Sequence, residues 1–147
     1  MWYFNKQVIT ELPEDKVGFV YLITNLKTQR RYIGKKLSKF NKTKYKVVVQ
    51  KNGVKKRKKL RSKVDSDWQT YWSSSPEVQA DVLELGEDNF LREILYFADS
   101  KGQLSYLEAR EQFHQQVLEN PTKWYNGIIQ CRIHRSHVGT PPKLLDN

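Results

Sequence analysis

Two strand-forming stretches, residues 19–24 and 31–36, flank the polar residues 25–30, and this spacing leaves the chain few ways to fold there. The first is aromatic and β-branched, as suits a half-buried strand, and the second can return beside it after a turn. The pattern predicts a β-hairpin with Tyr21 on one limb and Tyr32 on the other, each near a glycine, Gly18 or Gly34. Taken alone, such a hairpin could equally use its tyrosines to fill a core.

The segment that follows narrows the choice. Of the net charge of +10, residues 35–64 supply 14 Lys or Arg and no acid, while the rest of the chain has 12 bases and 16 acids. A basic block beside a near-neutral body is the footprint of a polyanion partner, because each neutralised phosphate releases condensed counterions. Its alternative is a solvated, partly disordered linker. Residues 45–50 and 54–60, however, flank Asn52-Gly53, the strongest short hairpin signal. A second, strongly basic hairpin is therefore predicted.

At 147 residues the chain is expected to form one domain that needs neither disulfides nor a structural metal. The single cysteine, Cys131, leaves no intramolecular disulfide and suits a reducing compartment. The first residues are interrupted by Asn5 and Lys6, and no run approaches the roughly 18 apolar residues of a membrane span. A soluble cytoplasmic protein is the expectation.

Trp2, Tyr3 and Phe4 can staple an N-terminal arm, residues 1–16, onto the body. Asp65, Ser66 and Asp67 can cap a short helix. Ser75-Pro76 opens another, ended by Gly86, with Val78, Val82, Leu83 and Leu85 facing inward. Residues 90–98 are rich in strand formers and predict a third strand. Ser105 and Glu108 have capping-box spacing, for a helix running to about Glu119 that buries Tyr106, Ala109, Phe113 and Val117. A last strand over 128–133 and a flexible tail over 135–147 complete the reading. The fold class is α+β: a small three-stranded antiparallel sheet flanked by helices, in a domain of residues 17–134 with a basic β-hairpin insertion at residues 37–64.

There is no Walker-type glycine loop, nucleophile-elbow serine or zinc-spaced thiol cluster. Cys131, His134 and His137 offer three ligands where a structural zinc wants four, and read as no metal site. On the last helix, Glu111 falls at the margin of the apolar arc and Glu108 further toward solvent, where it serves the cap. A single carboxylate in a basic surround suits one hard divalent cation; its bland alternative is a surface glutamate paired with a neighbouring base.

Gly18-Phe19-Val20-Tyr21 followed by Tyr32-Ile33-Gly34-Lys35 resembles the paired signature of the GIY-YIG endonucleases, with Phe19-Val20 in place of the usual isoleucine. The resemblance continues through Tyr71-Trp72-Ser73-Ser74-Ser75, Gly86 and residues 90–95 to Glu111-Gln112-Phe113 and Tyr125-Asn126, and is similar to phage-encoded, homing-type and SegE-like members. It implies metal-dependent hydrolysis of a DNA phosphodiester. Tyr32 would be the general base, with Tyr21 orienting water or phosphate. Glu111 would hold Mg²⁺ or Mn²⁺, and Asn126 would position Glu111 or a backbone segment. Lys35 or Lys36 would favour the Tyr32 phenolate, whose ordinary pKa is near 10. The family's catalytic arginine falls to Arg61 or Arg57, because the basic insertion intervenes.

Lys35, Lys55, Lys56, Arg57, Lys58 and Lys59 would grip duplex DNA through its phosphates, which position a protein without specifying sequence. Two copies would serve to cut both strands, in the host cytoplasm if the chain is phage-encoded. The competing readings are a non-catalytic nucleic-acid-binding module using the basic flap, and a structural protein associated with a phage particle or nucleoprotein complex.

Overall fold

The computed structural model describes residues 1–145. In chain order the elements are β1 (Trp2–Phe4), β2 (Gln7–Ile9), β3 (Gly18–Asn25), β4 (Arg31–Leu37), β5 (Lys39–Val49), β6 (Lys55–Asp65), α1 (Pro76–Leu85), β7 (Phe90–Ala98) and α2 (Lys101–His114). Five strands form one mixed sheet in the order β2-β1-β7-β3-β4, and β5 with β6 forms a separate ribbon. The fold is α+β as expected, but the sheet has five strands where three were expected.

The extra strands come from the N-terminal segment. Trp2 is buried, its indole donates to the Trp68 carbonyl at 2.7 Å, and its ring meets Phe19 and Tyr21 edge-on. That burial draws residues 2–4 into a parallel pairing with β7, which makes the sheet mixed. Residues 128–133 add no strand.

The sheet is covered on both faces. On one, Phe19, Tyr21, Ile23 and Ile94 pack with Trp2, Trp68, Val78 and Val82; on the other, Val20, Ile33 and Tyr96 pack with Leu104 and Leu107 of α2. β7, a strand as its strand-forming residues implied, alternates buried and half-buried positions along its length.

Helix α1 begins and ends where expected, with the Ser75 hydroxyl accepting from the Val78 N–H and Gly86 closing it at φ 91°. Val78 and Val82 are buried, but Leu83 is exposed, since it lies about 140° round the helix from Val78. Helix α2 starts earlier than predicted. Ser100 caps it by accepting from Gln103 N–H at 3.0 Å, which leaves Ser105 inside the helix. The helix also stops at His114, and Gln116 beyond it takes φ 55°. The buried face consequently includes Leu104, Leu107, Ala109, Glu111 and Gln112, while Phe113 is exposed. No helix among the described residues is long and apolar enough to cross a membrane.

Beyond α2 the chain runs back over it. Gln103 Nε2 donates to the Val138 carbonyl at 3.0 Å, and Leu145 N–H donates to the Tyr96 hydroxyl at 2.9 Å. Of the tail predicted over 135–147, residues 146 and 147 lie outside the described residues.

One buried cation holds the loop between ribbon and α1 against the sheet. Arg92 on β7 lies between the rings of Trp2 and Trp72, at 4.8 and 4.1 Å from their centroids, and donates to the carbonyls of Gln69 and Tyr71. Burial lowers its pKa to about 10. Arg92→Leu leaves those two carbonyls without their donor, so chemical denaturation should show a stability loss of about 3 kcal/mol. An unchanged midpoint would count against this anchor.

Candidate active site

In the β3–β4 register Tyr21 stands opposite Gly34 and Ile23 opposite Tyr32, so both tyrosines lie on the same face of the sheet. Gly34 makes room for this. A Cβ there would lie 2.4 Å from the Tyr21 hydroxyl and 2.8 Å from the Tyr32 ring, so only glycine lets the two rings sit side by side, 6.2 Å between centroids. Tyr21 is fully buried, and burial pushes its hydroxyl pKa well above the ordinary phenol value. Tyr71 stands edge-on to it at 5.9 Å.

Tyr32 borders a cavity of about 240 Å³ at the outer edge of β4, together with Lys35, Ser74, Glu108 and Gln112. Four separate stretches meet there: β4, the turn before α1, α2, and the chain around residues 128–130. Burial raises the Tyr32 pKa, and a hydrogen bond from Ser74 partly offsets this. Burial also raises the Glu108 carboxyl above the usual range, against the pull of Lys35, whose Nζ lies 4.0 Å from Oε1. The same ammonium donates to the Ser105 hydroxyl at 2.8 Å.

A family model described as "Putative endonuclease segE, GIY-YIG domain" matches residues 2–129. The chain belongs to the GIY-YIG endonuclease family. No curated protein and no solved structure matches it. Nucleases of the GIY-YIG family are generally divalent-metal dependent, and an endonuclease domain implies DNA as substrate.

The two glutamates of the GIY-YIG helix sit otherwise than helical periodicity predicted. Glu111 is buried and both its oxygens are engaged, Oε2 accepting from the Tyr96 hydroxyl at 2.8 Å and Oε1 from Gln115 at 2.9 Å. It does not border the Tyr32 cavity, whereas Glu108, expected to serve the cap, does. Leu104 and Leu107, buried against the sheet, set the rotation of α2, which turns Glu111 inward and leaves Glu108 at the cleft.

The expected arginines are also elsewhere. Arg61 stands opposite Thr43 on the ribbon, and Arg57 stacks on Tyr45 at 4.3 Å, because residues 55–65 form a strand rather than leading into a helix. Lys55, Lys56, Lys58 and Lys59 share that strand. Lys36 binds Asp67 at 2.5 Å and lies 4.0 Å from the Tyr71 centroid, whereas Lys35 borders the Tyr32 cavity.

Asn126 clamps backbone rather than a carboxylate. Its Oδ1 accepts from Ile33 N–H at 3.0 Å and its Nδ2 donates to Ile33 O at 2.8 Å. Gln112 Nε2 donates to the same carbonyl at 3.0 Å. Sequence reasoning assigned no role to Ser74 or Gln112, although both stand in stretches that carry the family resemblance. Gly34→Ala should cost about 2 kcal/mol of stability through overpacking of the tyrosine pair, read from its thermal midpoint. A wild-type midpoint would contradict the tight contact.

Proposed function

We propose that this protein is a metal-dependent DNA endonuclease in which Tyr32 is the general base and Glu108, rather than Glu111, is the carboxylate that holds a divalent cation. The observation that carries this reading is the convergence of Tyr32, Ser74, Lys35 and Glu108 on one cleft from distant parts of the chain. The protein acts in the cytoplasm, of the host cell if phage-encoded, and a second copy serves the opposite strand of a duplex.

Glu108 suits Mg²⁺ or Mn²⁺. A hard cation takes carboxylate oxygen with water and phosphate oxygens completing the shell, and it would relieve a carboxylate that burial disfavours. When bound, the cation stabilises charge on the phosphate.

The residues then divide the work as follows. Tyr32, as its phenolate, takes the proton of a water that attacks phosphorus in line; the bond from phosphorus to the leaving oxygen breaks, and that oxygen takes a proton from solvent. Ser74 holds the Tyr32 hydroxyl and favours its deprotonated form. Tyr21, kept neutral by burial, fixes the Tyr32 ring. Lys35 supplies positive charge to the transition state in place of an arginine.

A plasmid-nicking assay with Mg²⁺ or with EDTA separates this from a non-catalytic DNA-binding module, which binds without metal and never nicks. Tyr32→Phe and Glu108→Ala should slow nicking by at least about 100-fold. Glu111→Gln should lose stability while retaining most of the rate; the reverse pattern would return the metal to Glu111. Because the Tyr32 pKa is raised, only a small fraction is deprotonated at neutral pH. The rate should therefore climb nearly tenfold per unit from about pH 7 to 9, with no plateau. A plateau below that range would remove Tyr32 as the base.

A further inference from the structure

Among the described residues, the ribbon of β5 and β6 pairs with no other strand. Its pairing runs without interruption from Lys39 opposite Asp65 to Val49 opposite Lys55, and nearly every side chain along it is exposed. It is tied down near its base, where Ser66 N–H donates to Ser38 O at 3.0 Å and the Ser66 hydroxyl to Leu37 O at 2.6 Å. An isolated two-stranded ribbon is marginal in water, and this one carries both crowded positive charge and exposed Tyr45, Val47, Val49 and Leu60. Such a ribbon calls for a polyanionic occupant with some apolar surface.

The two faces of the ribbon differ in chemistry. Residues paired across an antiparallel ribbon share a face, so Asn41, Thr43 and Tyr45 lie with Lys63, Arg61 and Lys59. Arg57 is on this face too, stacked on Tyr45 at 4.3 Å. Lys42, Lys44 and Lys46 lie on the other face with Ser62, Leu60 and Lys58. Both arginines and the one asparagine of the strands therefore share a face, and these side chains can pair bidentately with guanine and adenine edges. The opposite face offers lysines, which suit phosphates.

The dimensions agree. Alternate residues of β6 are spaced about 6.8 Å apart, twice the roughly 3.4 Å axial rise per phosphate on one strand of B-DNA. The major groove, about 12 Å wide, admits a two-stranded β-ribbon, whereas the major groove of duplex RNA is too deep and narrow.

We propose that the ribbon enters the major groove of duplex DNA with Asn41, Thr43, Arg57 and Arg61 on the base edges, and that it selects the sequence at which the protein acts. This rests on the DNA-endonuclease reading and extends it. The basic insertion then reads sequence as well as gripping phosphates, and Arg61 serves recognition instead of the chemical step.

The test selects bound duplexes from a random library with the full chain in EDTA, so that binding is read without cleavage. The unmodified protein should enrich a defined motif. Arg61→Ala should lose about tenfold to 100-fold preference at one base position with little change in non-specific affinity. Arg61→Lys, which keeps charge and strand but not the two-pronged donor, should show the same loss. Lys44→Ala with Lys46→Ala should weaken binding to all sequences alike and flatten the salt dependence.

No enrichment by the unmodified protein, or unchanged motifs in Arg61→Ala and Asn41→Ala, would overturn the inference, as would equal affinity for duplex RNA of the same sequence. Selective binding without nicking in Mg²⁺ would defeat the endonuclease reading and leave this one standing. Nicking without ribbon-dependent selectivity would do the reverse.

Discussion

β4 is the last strand of its sheet, and the outward N–H and C=O groups of an edge strand must find partners. Here they find them in a turn of chain from the far end of the domain. Arg31 N–H donates to Lys123 O at 2.9 Å, Tyr125 N–H donates to Arg31 O at 2.8 Å, and the Asn126 amide then closes on both polar groups of Ile33. That rim sets the cleft, since Tyr32 and Lys35 flank the clamped residue and α2 brings Glu108 and Gln112 to the same edge.

Inside this frame the charges are largely committed. Lys36 goes to Asp67 and the Tyr71 ring, Arg92 to two carbonyls and two indoles, and Glu111 to Tyr96 and Gln115. Glu108 is the half-buried carboxylate that borders the cleft, with Lys35 nearby. A half-buried carboxyl and a half-buried phenol, both with raised pKa, thus line one cleft.

The ribbon follows a different logic from the body. The sheet is stabilised by burial on both faces, while the ribbon has almost none and depends on its own ladder and its Asn52-Gly53 turn, where Asn52 Oδ1 accepts from Val54 N–H at 3.0 Å. The cleft and the ribbon can therefore vary independently, because few contacts beyond the ribbon's base join them.

Much of this was legible in residues close together in the chain. The tyrosine hairpin, the Ser75 cap and Gly86 stop of α1, the third strand at residues 90–98 and the basic hairpin all depend on local propensity and turn chemistry, which a sequence carries by itself. The tertiary structure alone decided three things. Trp2 joined the core and pulled a parallel strand into the sheet, a pairing no local pattern encodes. Asn126 turned out to hold the backbone of Ile33. And Glu108, not Glu111, came to the cleft: the two lie only about 60° apart around the helix, so periodicity cannot separate them, and the choice fell to how Leu104 and Leu107 seat α2 on the sheet.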